Sequence, residues 1–544
     1  MKRIILITLA SFLLFQCHEI NNHKSKKPNI ILIMADDMGF SDLGFMGSGI
    51  ETPNLDKLAS NGLVFNQFYN TGRCCPTRAS LLTGLYAHKS GLGWMTASNQ
   101  GKPGYQGEIN EHSATLAQVL KTAGYKNYVT GKWHVVYDPY MNQDSTKYNW
   151  PLQRGFDKYF GMLQGGGGYY DIKTLTQDNT RIKPPKDFYI TEGINESSVN
   201  YLNEHFKTQS DSPFFMYVAH YAPHRPLHAR KELIAKYKGK FMQGWDYFRN
   251  NRLSTMKQLG LIDPNGVISK RDSKVPNWES LSPKEKEVWD ELMAVYAAQI
   301  DHMDQGVGQI IEVLKQNNEL DNTLILFLSD NGGNGFSQGG EFNTDILEDL
   351  GGQNSAQSYR VNWANMSNTP FRKYKMYNHE GGIATPLIVH WPKGISTTTK
   401  VTQQQGHVID IMPTLIEVSG AKYPKKINNI SIYPAQGSSF LKALKGEETS
   451  RAPMFFEHNG NRAVIKGNWK LVSEGIQKPP YTKAWELYDL SQDRAEAHNL
   501  IDKNTEKTKT LENLWNSWAE DNNVLPINGK AWSEKLKEDI NKQQ

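Results

Sequence analysis

Several apolar runs in this sequence stop at residues that could do chemistry. Asn29 to Met34 ends at Ala35-Asp36-Asp37, and Thr323 to Leu328 leads through Ser329 into Asp330-Asn331. Lys126 to Thr130 ends at Gly131-Lys132-Trp133-His134, and Phe214 to Val218 runs into His220 and then Pro223-His224-Arg225-Pro226. Three Asp and one Asn offer only oxygen donors, which suits a hard divalent cation, calcium or magnesium, rather than zinc. Each pair alone is also ordinary turn chemistry; their recurrence at the ends of separate runs is what suggests one shared site. Cys74 and Cys75 are adjacent, an awkward geometry for a disulfide, so these two thiols need a different role.

Two tempting motifs fail on context. His220, His224 and His228 are spaced four apart, as zinc ligands on a helix would be, but Pro223 and Pro226 break any such helix. His220 and His228 are therefore read as structural or ligand-contacting side chains. Gly335-Phe336-Ser337-Gln338-Gly339 has the spelling of a nucleophile elbow, but that elbow needs a strand directly before the Ser and a helix directly after it.

The elements that must position these residues follow from periodicity. Asn29 to Met34 and Thr323 to Leu328 are short, branched apolar runs, as buried parallel strands are. Ligands bind at the carboxyl ends of such strands. Val64 to Tyr69, Lys126 to Thr130, Phe214 to Val218 and Pro386 to His390 read as further strands, and Leu55 to Asn61, Pro76 to Thr83, Ser113 to Ala123 and Pro283 to Asn317 as helices. Pro76 suits a first helical turn, which puts Cys74 at or just before a helix N-terminus, where anions are favoured. From 29 to about 420 strands alternate with helices, predicting an α/β fold with a mostly parallel central sheet flanked by helices. Beyond about 425 the pattern shifts to short strands (Arg462 to Val472, Trp485 to Leu490) and a last helix over Leu511 to Trp518, a smaller C-terminal α+β subdomain.

The segment Gly72-Arg73-Cys74-Cys75-Pro76-Thr77-Arg78-Ala79-Ser80-Leu81-Leu82-Thr83-Gly84-Leu85 closely resembles the signature of the type I sulfatases, alkaline-phosphatase-like enzymes in which the Cys is oxidised to formylglycine. Thr77 stands where Ser is commoner. The resemblance covers nearly the whole mature chain: Pro28 to Asp37, Thr52-Pro53-Asn54-Leu55-Asp56, Gly131-Lys132-Trp133-His134, Ala222-Pro223-His224-Arg225-Pro226, Ser329-Asp330-Asn331-Gly332-Gly333, Lys375 before Glu380-Gly381-Gly382, then Trp469-Lys470-Leu471 and Glu486 to Leu490. The Lys375 segment departs from the usual pattern, with Lys373-Tyr374 where glycines are common and Ala384-Thr385 where Arg-Val is common.

The resemblance implies hydrolysis of a sulfate ester, with sulfated carbohydrate as the expected substrate and a small aryl sulfate as an acceptable one. It implies that Asp36, Asp37, Asp330, Asn331 and the converted Cys74 hold Ca2+, or alternatively Mg2+. Arg78 and Lys132 would orient the formylglycine, His134 would be the base that releases sulfate, and His224 and Lys375 would contact the sulfate, with His224 as general acid. A formylglycine-generating enzyme becomes an expected partner during maturation. Two rival readings stand beside this one: a phosphate or phosphonate ester hydrolase on the same fold, and an unconverted, inactive lipoprotein that binds sulfated glycans. Arg372 and Lys373 read as solvated charges. Tyr169, Tyr170 and Asp171, after the glycine run 165–168, are candidates either for a sugar subsite or for loop packing.

The bulk composition agrees. With 38% hydrophobic and 11% aromatic residues over 544, the chain is globular rather than disordered. A net charge of +5 from 61 basic and 56 acidic residues gives no nucleic-acid signature but tolerates an anionic ligand. Met1-Lys2-Arg3 followed by apolar Ile4 to Phe15 is a secretory signal pattern, too short for a membrane span. Gln16-Cys17 then resembles a bacterial lipoprotein signal in which Cys17 carries the lipid, so the expected location is the bacterial cell envelope, periplasmic or membrane-anchored. The expected organisation is a signal over 1–17, a polar tether over 18–27, a catalytic domain over 28–424 and the C-terminal subdomain over 425–544.

Overall fold

The protein is described here from a computed structural model covering residues 26–447 and 449–543. The signal, Cys17 and most of the tether lie outside the described residues. Among the described residues no helix is long and apolar enough to cross a membrane.

The main sheet has eleven strands: β1 (Asn29–Ala35), β2 (Leu63–Tyr69), β3 (Lys126–Lys132), β4 (Lys158–Met162), β5 (Leu175–Gln177), β6 (Thr180–Arg181), β7 (Phe214–Ala219), β8 (Thr323–Ser329), β9 (Ala384–His390), β10 (Val401–Thr402) and β11 (Gly406–His407). Their order is β10-β2-β9-β8-β1-β7-β3-β4-β5-β6, with β11 also on β2. The centre is parallel: β1 pairs with β7 and β8, and β3 with β7 and β4. β9 runs antiparallel between β8 and β2, and β5 and β6 finish the far edge antiparallel. The expected mostly parallel α/β architecture is the one found.

All seven residues of β1 are buried, as a strand covered on both faces must be. Side chains alternate between faces, so Ile31, Ile33 and Ala35 enter one hydrophobic layer and Ile30, Leu32 and Met34 the other. The first layer includes the long helix Pro283–Gln316, which starts on a capping box: Ser282 accepts from the backbone N–H of Glu285, and Glu285 accepts in return. The second layer includes Leu81 and Leu82 of the helix Cys74–Thr83, every residue of which is buried.

The C-terminal sheet is antiparallel, β14 (Met454–His458), β15 (Asn461–Lys466), β16 (Trp469–Ser473) and β17 (Glu486–Asp489), after a small hairpin of β12 (Lys426–Ile427) and β13 (Ile430–Ser431). Asn459-Gly460, both at positive φ, is the tight turn between β14 and β15. One face of this sheet (Val464, Leu471, Leu487) packs with Trp515 of the helix Thr505–Asp521. The other (Phe456, Ala463, Ile465, Val472) merges into the first layer of the main domain.

Charge reinforces that junction. Lys470 on β16, fully buried, pairs with Glu380 at 3.0 Å and Glu496 at 2.8 Å, and Arg494 reaches Glu380 at 3.1 Å. Replacing one member of a buried pair leaves the other charge uncompensated, at a cost of about 3–5 kcal/mol. Lys470→Met is therefore expected to lower the urea unfolding free energy by about that amount; a loss below about 1 kcal/mol, the scale of an exposed pair, would mean the junction does not depend on this charge.

Candidate active site

The ends of β1, β3, β7 and β8 lie side by side, and each delivers its polar residues to the same edge. Asp37, just past β1, sits at φ 67° and His134, just past β3, at φ 54°. Both are left-handed conformations that non-glycine residues adopt when surrounding structure holds them. Cys74 is the first residue of its helix, with Arg73 as N-cap. Thr77 fixes the approach to it: its Oγ1 accepts from the backbone N–H of Thr71 at 3.0 Å and lies 2.9 Å from the Thr71 hydroxyl.

Beneath Cys74 lies a cluster of buried charges. Arg78 donates through Nε and Nη2 to Asp330 Oδ2 at 3.2 and 2.9 Å, and through Nη1 to the carbonyl of Lys132 at 2.8 Å. It thus ties the helix to the ends of β8 and β3. Lys132 donates to Asp36 Oδ2 at 2.6 Å. Lys375 ion-pairs with Asp37, whose carboxylate also accepts from Asn331 at 2.8 Å and Asn334 at 3.0 Å. His224 Nε2 stands 3.6 Å from Asp37 Oδ2, and its Nδ1 lies 3.0 Å from the Tyr221 hydroxyl.

These contacts set the protonation states. Burial, then neighbouring Asp330, pushes Asp36 up to about 8. Burial pushes Asp37 the same way, but Lys375 and His224 outweigh it and hold it below the usual carboxylate range. A hydrogen bond from Cys75, and then Lys132 and Lys375, draw the Cys74 thiol well below its ordinary value against the effect of burial. Burial pushes His134 down to about 4 and His224 well below an ordinary histidine.

Some buried oxygens have no partner: Asp36 Oδ1 and Asn331 Oδ1 make no hydrogen bond, although buried polar atoms are nearly always satisfied. Asp36, Asp37 and His224 can bring one donor atom each within 4.8 Å of one another, as can Cys74, Cys75 and His134. The unpartnered oxygens, a raised Asp36 and an oxygen-only donor set at Asp36, Asp37, Asp330 and Asn331 fit a hard divalent cation.

Above the cluster opens a cavity of about 630 Å³, lined by Cys74, His134, His224 and Lys375 among others. Every proposed catalytic side chain (Cys74, Arg78, Lys132, His134, His224, Lys375) is thus either on the cavity wall or in the charge cluster under it. Gly165 and Gly166 form part of the wall, and position 165 has a steric reason to be glycine: a Cβ there would lie 2.0 Å from His134 Nε2. A Cβ on Gly332 would lie 1.9 Å from the carbonyl of Gly381, which is why the Asp330-Asn331 turn and the Glu380-Gly381-Gly382 turn can touch.

Other expectations resolve differently. Arg372 and Lys373 are not solvated charges: Arg372 pairs with Glu486 at 3.1 Å and Lys373 with Glu474 at 2.5 Å, pinning the Lys375 loop to the C-terminal sheet. Lys373 itself takes φ 68° where glycine is the usual choice. Tyr169 is fully buried and donates to the carbonyls of Tyr221 and His224, so it packs and positions the His224 loop. Tyr170 and Asp171 line a separate cavity of about 490 Å³ together with His228. His228 is held by the Ser355 carbonyl at 2.6 Å, and the fully buried His220 ring has no hydrogen-bond partner among the described residues. Residues 335–339 carry neither strand nor helix, which removes the nucleophile elbow. Sequence reasoning missed the contribution of the C-terminal residues His458, Asn459, Gln477 and Trp532, all of which line the cavity. The Asn-Gly turn signal was readable at 459–460, but nothing in it says where the turn points.

Comparison with known proteins places this geometry. The family model described as Sulfatase matches residues 28–421, and one described as N-sulphoglucosamine sulphohydrolase, C-terminal, matches 369–522. An uncharacterized sulfatase of Schizosaccharomyces pombe is 34% identical, covering 90% of this chain and 93% of that protein. An arylsulfatase of Klebsiella aerogenes is 32% identical over 79% of this chain and 94% of its own length. Among solved structures, Ps i-CgsB superposes with a TM-score of 0.67 at 26% identity, covering 94% of this chain and 98% of that one; it has also been solved in complex with k-i-k-neocarrahexaose.

Two outcomes follow from the site. Gly165→Ala should displace His134 and lower kcat/KM about 100-fold while leaving the thermal melt near that of the parent, because ångström-scale misplacement of a catalytic group is enough for such a loss. Retention of activity would show that His134 need not stand where Gly165 leaves room. Separately, a group whose folded pKa is raised loses stability for the protein as pH climbs from its unfolded to its folded value. Asp36 and Asp330 are both raised, whereas the contribution of Asp37, whose pKa is lowered, is already complete above about pH 4. Between pH 5 and 8 the chelated protein should therefore lose stability relative to the protein supplied with a divalent cation. The gap between their melting temperatures should widen with pH; a constant gap would separate cation binding from these carboxylates.

Proposed function

The chain belongs to the sulfatase family, and on that premise we propose that it hydrolyses sulfate esters of a sulfated carbohydrate, using a formylglycine made from Cys74 and a divalent cation, with calcium as the first candidate. The single observation that carries the reading is the convergence of Cys74, at a helix N-terminus, with Asp36, Asp37, Asp330 and Asn331 under a cavity walled by His134, His224 and Lys375.

When bound, the cation would be held by Asp36, Asp37, Asp330, Asn331 and an oxygen at position 74, and would supply positive charge against the sulfate oxygens. Once a maturation enzyme, with an external oxidant, has converted Cys74 to the aldehyde with loss of its sulfur, hydration at position 74 supplies two hydroxyls, one to displace the alcohol from sulfur and one to release sulfate. The net reaction adds water across the ester S–O bond. Lys132, paired with Asp36, and Arg78, paired with Asp330, stay charged and fix the orientation of residue 74. Lys375 sits on the cavity wall, where it opposes the negative charge of the sulfate. His134, kept neutral by burial, can take the proton from the hydroxyl that expels sulfate. His224 is also driven toward neutrality by burial, with Asp37 opposing; an arriving sulfate anion favours its protonated form, which can then donate to the departing sugar oxygen.

Peptide mass spectrometry across Cys74 on protein from its own host, with hydrolysis of 4-nitrocatechol sulfate and 4-nitrophenyl phosphate in parallel, tests the proposal. An aldehyde or its hydrate at residue 74, with sulfate ester cleaved in preference to phosphate, is expected. An intact thiol in every copy would overturn the mechanism and favour the glycan-binding reading, and preferential phosphate cleavage would favour the phosphoesterase. His224→Asn should lower kcat on a sulfated sugar about 100- to 10,000-fold and lower it less on the nitroaryl sulfate, whose leaving group needs little protonation.

A further inference from the structure

Two arginines on the cavity wall are left over after the chemistry is assigned. Arg73 precedes Cys74 and Arg225 follows His224, so both flank reacting groups. The ion pairs of the site are made by Arg78, Lys132, Lys375 and His224. Among the described residues, neither Arg73 nor Arg225 pairs with a carboxylate. Arg73 Nε donates to the sulfur of Met95 at 3.4 Å, a weak acceptor. Arg225 Nε is buried with no hydrogen-bond partner.

Other shielded arginines have acceptors for at least part of the guanidinium, although Nε of Arg154, Arg249 and Arg252 is, like that of Arg225, without a hydrogen-bond partner among the described residues. Arg252 and Arg451 sit on Asp42 and Asp410, and Arg154 and Arg249 donate to backbone carbonyls. Among the described residues lining the cavity, Asp138 is the acidic one, and no ion pair joins it to either arginine. A guanidinium presents a planar fork of donors suited to an oxyanion, and it retains its charge at any working pH. Two such forks lining the same cavity, neither in an ion pair with a carboxylate among the described residues, are an arrangement a ligand can complete.

We infer that Arg73 and Arg225 form a second anion subsite, which takes an oxyanion group, a sulfate or a carboxylate, carried by the substrate in addition to the sulfate ester that is cleaved. The inference rests on the sulfatase reading above and narrows its substrate class to glycans with more than one anionic group near the scissile ester. At the rim, Trp532 is 42% exposed and its ring stands 5.0 Å from that of Trp94, an apolar wall beside the same space.

The test is calorimetric binding to the full-length Cys74→Ala chain, which cannot turn substrate over, at physiological salt. Sucrose octasulfate offers a second sulfate whatever the preferred hydroxyl, and sucrose monosulfate is the reference. A monosulfated digalacturonate against a monosulfated digalactose reports on a carboxylate. Tighter binding of at least tenfold for the octasulfate, or for the uronate, assigns the second group as sulfate or carboxylate respectively. Arg225→Gln and Arg73→Gln should each cut that preference at least threefold, Arg225→Lys should restore part of it, and Arg462→Gln, whose guanidinium lies over Trp485 rather than on the cavity wall, should leave it unchanged. Equal affinity within each pair, or a preference that survives both Gln variants, overturns the subsite. Hydrolysis of 4-nitrocatechol sulfate by the unsubstituted protein is scored separately: its absence counts against the sulfatase reading, whereas its presence with no polyanion preference counts against the subsite alone.

Discussion

The constraint on which the rest of this structure depends is the burial of three carboxylates within one patch of a sheet edge. Asp36, Asp37 and Asp330 are each essentially inaccessible to solvent, and like charges in low dielectric repel strongly. The fold tolerates them by sending a cation to each from a different direction: Lys132 from β3 to Asp36, Arg78 from a helix to Asp330, Lys375 from a distant loop to Asp37. None of these cations neighbours its partner in sequence. The same contacts that make the acidic cluster bearable therefore also fix the relative positions of the elements that carry Cys74, His134, His224 and Lys375.

Compensation is incomplete, and the residue is informative. Asp36 stays raised despite Lys132 and Arg78, and its second oxygen, like that of Asn331, lacks a partner. A folded protein ordinarily satisfies such atoms. A site left short of positive charge and hydrogen-bond donors in this way is suited to a divalent cation, and folding and cation binding are then coupled through the same oxygens.

The C-terminal sheet belongs to this logic rather than standing apart from it. One of its faces is part of the main hydrophobic layer, and Lys470, Arg494, Glu486 and Glu474 clamp the loop that carries Lys375 and the Glu380 turn. It also lends His458 and Asn459 to the cavity wall. Cys74, His134, His224 and Lys375 come from the main domain, while part of the cavity wall comes from the small sheet. Changes in β14–β17 can thus alter that wall without touching the residues under the cavity.

The sequence by itself determined the local identities: which runs are strands, that they end in Asp36-Asp37, Lys132-Trp133-His134 and Asp330-Asn331, and that Cys74 opens a helix. These are legible because a buried parallel strand needs a continuous apolar run and Pro is tolerated in the first turn of a helix but not further in, all properties of neighbouring residues. The resemblance of Cys74 to Arg78 to a known signature added the chemistry. Only the tertiary structure decided that Arg372 and Lys373 are clamps rather than solvated charges, that Tyr169 is a positioning residue, that Gly165 makes room for His134, and that Arg73 and Arg225 face a cavity without carboxylate partners. Each of these depends on a partner far away in sequence, such as Glu486, Glu474, the His224 loop or the space around residue 74. Pairing over such distances is set by how strands and loops pack in three dimensions, and no local pattern of residues encodes it.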